Sequence, residues 1–487
     1  MTRVYWLVLL LLPLAIRPAA AQTPAVRSLS LEQALAQGKE TSERTGIARA
    51  GVRRAQGQLR QARSEFFPQL TGSASYTRTL ASQFSRAVNE DSSSTPAPEC
   101  RSFTADPTLP IEERLDSLES ALQCQSLENP FSAFKDLPFG RANQYNLGLQ
   151  ASQTLFASGR IAGQAQAAEA GVRSAEIGLG SAEAQTQLDI TQAYYDAALA
   201  DRLLSIADST LRQAERTYDN TKLGYDVGNV AEFDLLRAQV ARDNARPAVI
   251  SAGSRRDVAY LRLKQLLEIP LSDTLALETT LGDSTDMLPP PPLGQLASDT
   301  GVEARASVRQ AVESVYSAEG TAKSVRGSAL PQVKVTSSYA RLGYPDDVFP
   351  SWSDFVNDWT VSLGVTVPLF TGGRLAGQRQ VAQANVDEAQ LRLKQARELA
   401  ALDNRSTDAT LAAAEASWHA STGVVAQAQR AYEIAELRYS EGLSTQTELG
   451  DARVQLQQAL ANRAQSARDL QVARVRSALL GDLPVVQ

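Results

Sequence analysis

The chain has 487 residues, 43% hydrophobic and 6% aromatic, with 48 Lys and Arg against 54 Asp and Glu. A formal charge of −6 leaves no cationic excess to neutralise phosphates, which argues against a nucleic-acid partner. One histidine, two cysteines and the lack of a phosphate-binding glycine loop argue against an enzyme, since no Ser, His and Asp arrangement or Cys/His metal spacing surrounds His419. No catalytic residue, cofactor or metal is expected, and His419 reads as an ordinary packed or solvated residue of a long helix.

The N-terminus carries the order of a secretory signal: Met1-Thr2-Arg3, an apolar run from Val4 to Leu14, then Ala19-Ala20-Ala21. Cleavage is expected after Ala21, so residues 1–21 form the signal peptide. Without Arg3 and Arg17 the basic count falls from 48 to 46, a mature balance of −8. The apolar run falls well short of the ~20 residues a helix needs to span a bilayer, and no later segment supplies one. Secretion would place Cys100 and Cys124 in an oxidising compartment, where a disulfide between them is the default expectation.

Beyond the signal the chain repeats itself. Phe67-Pro68-Gln69-Leu70 leading to Tyr76 returns as Leu330-Pro331-Gln332-Val333 leading to Tyr339, displaced by 263 residues (76 to 339). Leu155-Phe156-Ala157-Ser158-Gly159-Arg160 returns as Leu369-Phe370-Thr371-Gly372-Gly373-Arg374, displaced by 214 (155 to 369). The second displacement persists to Tyr225 and Gly228 against Tyr439 and Gly442. This is an internal tandem duplication, with repeats at 22–287 and 288–487 joined near Leu288-Pro289-Pro290-Pro291-Pro292.

In the first repeat, strands are predicted at about 68–80 and 143–156, separated by a long insertion at about 81–142 that contains both cysteines. A helical hairpin follows at about 160–268. In the second repeat the strands fall at about 331–341 and 358–370, and the hairpin at about 374–480. The outgoing helices are free of proline and rich in Ala, Gln and Glu, and each ends at a Gly-containing turn. Pro247 interrupts the first return helix, and a kink or short break is expected there. Residues 111–122 of the insertion are a candidate short helix.

The strands alternate. Trp359, Val361, Leu363 and Val365 share one face and Thr360, Ser362, Gly364 and Thr366 the other; Tyr145, Leu147, Leu149 and Ala151 against Asn146, Gly148, Gln150 and Ser152 repeat the pattern. Small uncharged residues suit a wet lumen and the apolar face suits lipid. A soluble sandwich would need a second sheet, which four strands on such long helices do not supply. Four strands cannot close a barrel, and open edges are not tolerated in hydrocarbon, so several copies must close it together. Spacing alone does not choose two, three or four. Phe131, Phe134, Phe139, Trp352 and Phe355 lie beside the strands as an aromatic belt, a plug or ordinary loop packing.

The secretory signal, the duplication, the Pro-Gln-Leu and Pro-Leu-Phe strand edges and the Tyr-x-x-Gly turns together resemble the TolC-like family of outer-membrane efflux proteins. The resemblance covers nearly the whole mature chain. It implies a mainly α chain with a small β part, forming a homotrimer. Four strands per chain would build a twelve-stranded transmembrane β-barrel in outer-membrane lipid, continued by a long periplasmic α-helical barrel. It also implies a passive exit duct of a tripartite efflux pump or type I secretion system, served by a periplasmic adaptor and an inner-membrane transporter. The competing readings are a structural or adhesive coiled-coil envelope protein, which leaves the matched strands unexplained, and a stand-alone porin, which has no need of such helices.

The resemblance also assigns residues. Asp234 and Tyr439 take the positions of a periplasmic gate, Glu448 and Asp451 those of an acidic constriction ring. Tyr225, Val227, Gly228, Tyr439 and Gly442 form the turns where adaptor tips would dock. The family's basic residue two positions after the second-turn glycine is Ser444 here, and Glu441 replaces a small apolar residue. Asp234 is also suited to a helix start, where a carboxylate gains about 0.3–1 kcal/mol from the dipole.

Overall fold

The computed structural model describes residues 27–81, 106–127, 141–281, 299–345 and 347–485, without the side chains of 123–127. The expected signal peptide, the Cys100 to Cys124 disulfide and Phe131, Phe134 and Phe139 lie outside the described residues.

In chain order the elements are β1 (Arg27–Leu29), α1 (Leu31–Thr41), α2 (Glu43–Ser64), β2 (Gln69–Arg78), α3 (Ile111–Leu127), β3 (Asn143–Phe156), α4 (Arg160–Asp226) and α5 (Glu232–Leu266). They continue with β4 (Leu275–Leu277), α6 (Ala306–Gly327), β5 (Gln332–Gly343), β6 (Phe355–Thr366), α7 (Arg374–Ser440) and α8 (Gln446–Ala478). Equal lengths recur at fixed spacing. α2 and α6 each have 22 residues and start 263 apart (43 and 306). α4 and α7 each have 67 and start 214 apart (160 and 374), which at 1.5 Å per residue is about 100 Å of helix apiece. The chain divides into two compact units, one made of the residues up to 56 with 170–316 and 387 onward, the other of 57–169 and 317–386.

The second unit holds a four-stranded antiparallel sheet in the order β2-β3-β5-β6. Its apolar positions share one face, because Trp359 pairs with Tyr339, Tyr339 with Leu149, and Leu149 with Gly72, while the opposite face carries Thr and Ser. β6 stops at Thr366 although the alternation continues to Leu369. Pro368 explains the stop, since it has no N–H to give a ladder. Trp352 lies in the turn before β6 and Phe355 opens that strand: the Arg341 guanidinium lies 4.5 Å over the Trp352 ring, whose centroid is 5.9 Å from that of Phe355.

Two glycines let the helix ends of this unit approach backbone to backbone. A Cβ on Gly163 would sit 2.5 Å from the Gly320 carbonyl oxygen, and one on Gly320 would sit 2.7 Å from the Ala167 nitrogen. Gly163→Ala must therefore push two helices apart and is expected to cost about 1–3 kcal/mol. Gly171→Ala meets nothing within 4 Å and gains helix propensity, up to about 1 kcal/mol. Thermal unfolding of the detergent-solubilised variants should move in opposite directions.

The first unit contains the parallel pair β1 and β4 and a core of Leu29, Ile190, Tyr194, Leu263, Leu267, Leu281, Trp418 and Leu470. α4 presents Ala193, Ala197 and Ala198 to this core, so neighbouring elements approach closely there. Burial, then the neighbouring Tyr194, pushes the Tyr195 hydroxyl up to about 12. Of the kink or short break expected at Pro247, the break does not occur, for α5 runs from Glu232 to Leu266 with Pro247 inside it. Proline deletes a single bond of a 35-residue ladder, and intact turns on both sides carry the helix through. Arg305, fully buried, reaches Asp403 at 2.6 Å and Asn404 at 3.1 Å, and Arg476 meets the other Asp403 oxygen at 3.2 Å.

Candidate functional site

The two helix turns are built alike. After α4, the Gly228 N–H donates to the Tyr225 carbonyl at 2.9 Å, Asn229 N–H to Gly224 at 2.8 Å, and Val227 N–H to Leu223 at 3.2 Å. After α7, Gly442 donates to Tyr439 at 3.1 Å, Leu443 to Arg438 at 2.8 Å, and Glu441 to Leu437 at 3.1 Å. Gly228 and Gly442 have φ of 80° and 70°, the left-handed region that a side chain resists. The turns present Tyr225, Val227, Glu441 and Gly442 to solvent, with Val227 63% exposed.

Tyr439 and Asp234 stand on different partners within the protomer. The Tyr439 hydroxyl lies 3.1 Å from Thr221 Oγ1. Thr221 spends its single hydroxyl proton on the Thr217 carbonyl at 2.7 Å, so it must accept from Tyr439. This bond ties the end of α7 to the end of α4 at a buried threonine. Asp234 sits half-buried in the first turn of α5, after Ala231, which offers no side-chain cap. Its carboxylate has no hydrogen-bond partner among the described residues of the protomer. The Gln446 amide, oriented so that both ends are satisfied, donates to the Asp234 carbonyl at 3.0 Å and accepts from the Ala238 N–H at 3.0 Å. The Ser444 hydroxyl is buried without a partner among the described residues.

Glu448 and Asp451 are both exposed, on one face of α8. Thr445 caps this helix by accepting from the Glu448 N–H at 3.3 Å, which fixes Glu448 at the positive end of the dipole. Asp451 also borders a cleft of about 490 Å³ with Phe233, Leu236, Val240 and Arg453. Burial lowers the Arg453 pKa, partly offset by Tyr432. Burial, then the Glu436 carboxylate, pushes Tyr432 up to about 12, and its hydroxyl donates to Glu436 at 3.1 Å. Thr221 and Gln446 were missed by the sequence reading. The i, i+4 spacing of Thr217 and Thr221 beside the first turn was the available signal for one, and nothing local marked the other.

Among the described residues no His, Cys, Asp and Glu group could hold a metal ion, and no helix is long and apolar enough to cross a membrane. The latter says nothing about a β-barrel.

Long paired helices, Tyr-x-x-Gly turns and a small sheet with one apolar face are the features on which the resemblance to outer-membrane efflux proteins rests. The model of the outer membrane efflux protein family matches residues 46–268 and 300–481, and the chain belongs to that family. By family it is thus an outer-membrane protein and not an enzyme. The chain is 22% identical to the outer membrane efflux protein BepC of Brucella suis over 285 residues, 58% of this chain and 60% of BepC. The matched region therefore spans about three-fifths of that relative. A membrane protein from Pseudomonas aeruginosa has a similar fold, with a TM-score of 0.70 at 16% identity over 93% of both chains. The CmeC outer membrane channel of Campylobacter jejuni superposes with a TM-score of 0.69 at 16% identity, over 94% of this chain and 87% of CmeC.

Proposed function

We propose that three copies of this chain close a twelve-stranded barrel in the outer membrane. Below it their helical hairpins form a periplasmic tube, and the assembly passively conducts substrates delivered by an inner-membrane transporter through a periplasmic adaptor. The observation that carries this reading is a four-stranded sheet with one apolar face and two open edges, joined to two 67-residue helices. An open edge in hydrocarbon leaves backbone groups unpaired at several kcal/mol each, so the sheet requires partners. The equal helix lengths and fixed displacements support descent from a tandem duplication of one strand-pair and hairpin unit.

In this reading the turns at Tyr225, Val227, Gly228, Tyr439 and Gly442 receive the adaptor, and Tyr439 and Asp234 hold the periplasmic end shut. Glu448 and Asp451 give each copy two exposed carboxylates that symmetry gathers around the axis. Such a ring favours cations and binds multivalent ones. Single-channel recording of the purified protein in a planar bilayer tests the whole. The wild type should conduct weakly and prefer cations, while replacing Glu448 and Asp451 together with Ala should lower the cation-to-anion permeability ratio several-fold and relieve block by multivalent cations. An inserted oligomer that never conducts would overturn the duct. Unchanged selectivity and block in a conducting double variant would move the ring to other acids.

A further inference from the structure

The two edges of the sheet are β2, all ten of whose residues are exposed, and β6, exposed at every residue but the first. The register between these edges can be derived from the sheet's internal regularity. Shifting β2 by 263 and β3 by 214 turns the β2–β3 pairing into the β5–β6 pairing without a slip. Gln69 opposite Ser152 becomes Gln332 opposite Thr366, and Tyr76 opposite Tyr145 becomes Tyr339 opposite Trp359, as do all ten pairs. The side chains follow: Tyr76 and Tyr145 rings lie 4.7 Å apart and Tyr339 and Trp359 rings 6.4 Å apart. The remaining junction, β3 with β5, joins the second strand of one repeat to the first strand of the next. Its counterpart is β6 joined to the β2 of another copy.

We propose that β6 of one protomer pairs antiparallel with β2 of its neighbour in the register that the same two displacements give from β3–β5. Leu149 opposite Tyr339 then yields Leu363 opposite Tyr76, and Ser152 opposite Thr336 yields Thr366 opposite Ser73. The direction agrees, since all three pairings within the chain are antiparallel and β2 and β6 therefore run oppositely. An independent check comes from the faces. The derived register sets the apolar face of β6 against Tyr76 and Ala74, which share the apolar face of β2, and sets Ser362 and Thr366 against Thr77 and Ser73. A slip of one residue would put Leu363 beside hydroxyls and break the face around the barrel. A slip of two would not, so experiment must distinguish it.

This inference rests on the reading of the sheet as one part of a barrel closed by copies of the chain. Cysteine pairs separate the two. Within one chain Leu363 and Tyr76 lie on strands three spacings apart, about 14 Å before the offset along the strands is added, beyond the ~7 Å limit for a disulfide, so any bond formed joins copies. In a Cys100→Ser and Cys124→Ser background, Tyr76→Cys with Leu363→Cys and Thr77→Cys with Ser362→Cys are oxidised in outer-membrane vesicles. Successive antiparallel pairs alternate between wide and narrow spacing, so one of the two has the closer geometry. At least one should give covalent oligomers on a non-reducing gel. The slipped combinations, Tyr76→Cys with Val361→Cys or with Val365→Cys, should give less than a tenth as much. Stronger linking of a slipped pair would overturn the register and keep the barrel. No linking with an intact oligomer would show that these edges do not meet, and no linking with a monomer would overturn the closure by copies as well.

Discussion

Replacing Tyr439 with Phe is expected to open the channel. The change deletes only the hydroxyl that donates to Thr221 at 3.1 Å, and it leaves the ring packing of the α7 end in place. A net hydrogen bond contributes about 0.5–1.5 kcal/mol. In the proposed trimer, three copies acting on one shared aperture would give roughly 1.5–4.5 kcal/mol, about one to three orders of magnitude in the closed-to-open ratio. In a planar bilayer the variant should spend far more time at high conductance with its oligomeric size unchanged. Thr221→Val should reproduce the effect and add nothing to it, because both changes remove the same bond. Asp234→Ala should also raise conductance, but additively with Tyr439→Phe, since the Asp234 carboxylate has no partner among the described residues of its own protomer and the link proposed for it lies across a subunit boundary. Non-additivity would mean that Tyr439 re-pairs with Asp234 when the copies assemble. An unchanged conductance in all three would remove the gate from these residues.

The contrast between Tyr439 and Thr221 marks how far the sequence could be read. The helix turns were legible because their cause is local: a glycine at φ of 80° or 70° needs no distant residue to be recognised, and proline-free runs rich in Ala, Gln and Glu announce the helices on either side. The strands were legible from alternation, except where a single residue overrode the pattern. Pro368 ended β6 while Val367 and Leu369 still alternated, and Pro247 failed to end α5 because the turns flanking it held. What was hidden depends on contacts between segments far apart in the chain. Thr221 meets Tyr439 across 218 positions. Trp418, buried beneath the Arg463 guanidinium at 4.6 Å, looks in sequence like its exposed neighbour His419. Nothing near Arg305 or Asp403 marks either as part of a buried ion cluster.

That cluster gives the largest stability effect expected in the chain. Arg305 has no exposed surface and the Asp403 side chain is 7% exposed, whereas Arg476 keeps 35%. The Arg305 Nε is buried without a partner among the described residues, so the guanidinium depends on Asp403 and Asn404 for compensation. Asp403→Ala would strand a buried positive charge and should cost about 3–5 kcal/mol, enough to unfold a marginal domain or abolish assembly. Arg476→Ala should cost far less, about 0–1 kcal/mol, because water already reaches that side chain. Arg305→Met combined with Asp403→Leu should recover most of the loss, since removing both charges also removes their desolvation cost. Thermal unfolding of the solubilised protein, followed by circular dichroism, would rank the three. If the double apolar variant proved no better than Asp403→Ala, the cluster would be holding the start of α6 through geometry that apolar packing cannot replace. The Asn404 amide, which donates to the Thr300 carbonyl at 2.6 Å while its oxygen accepts from Arg305, would then be the residue to change next.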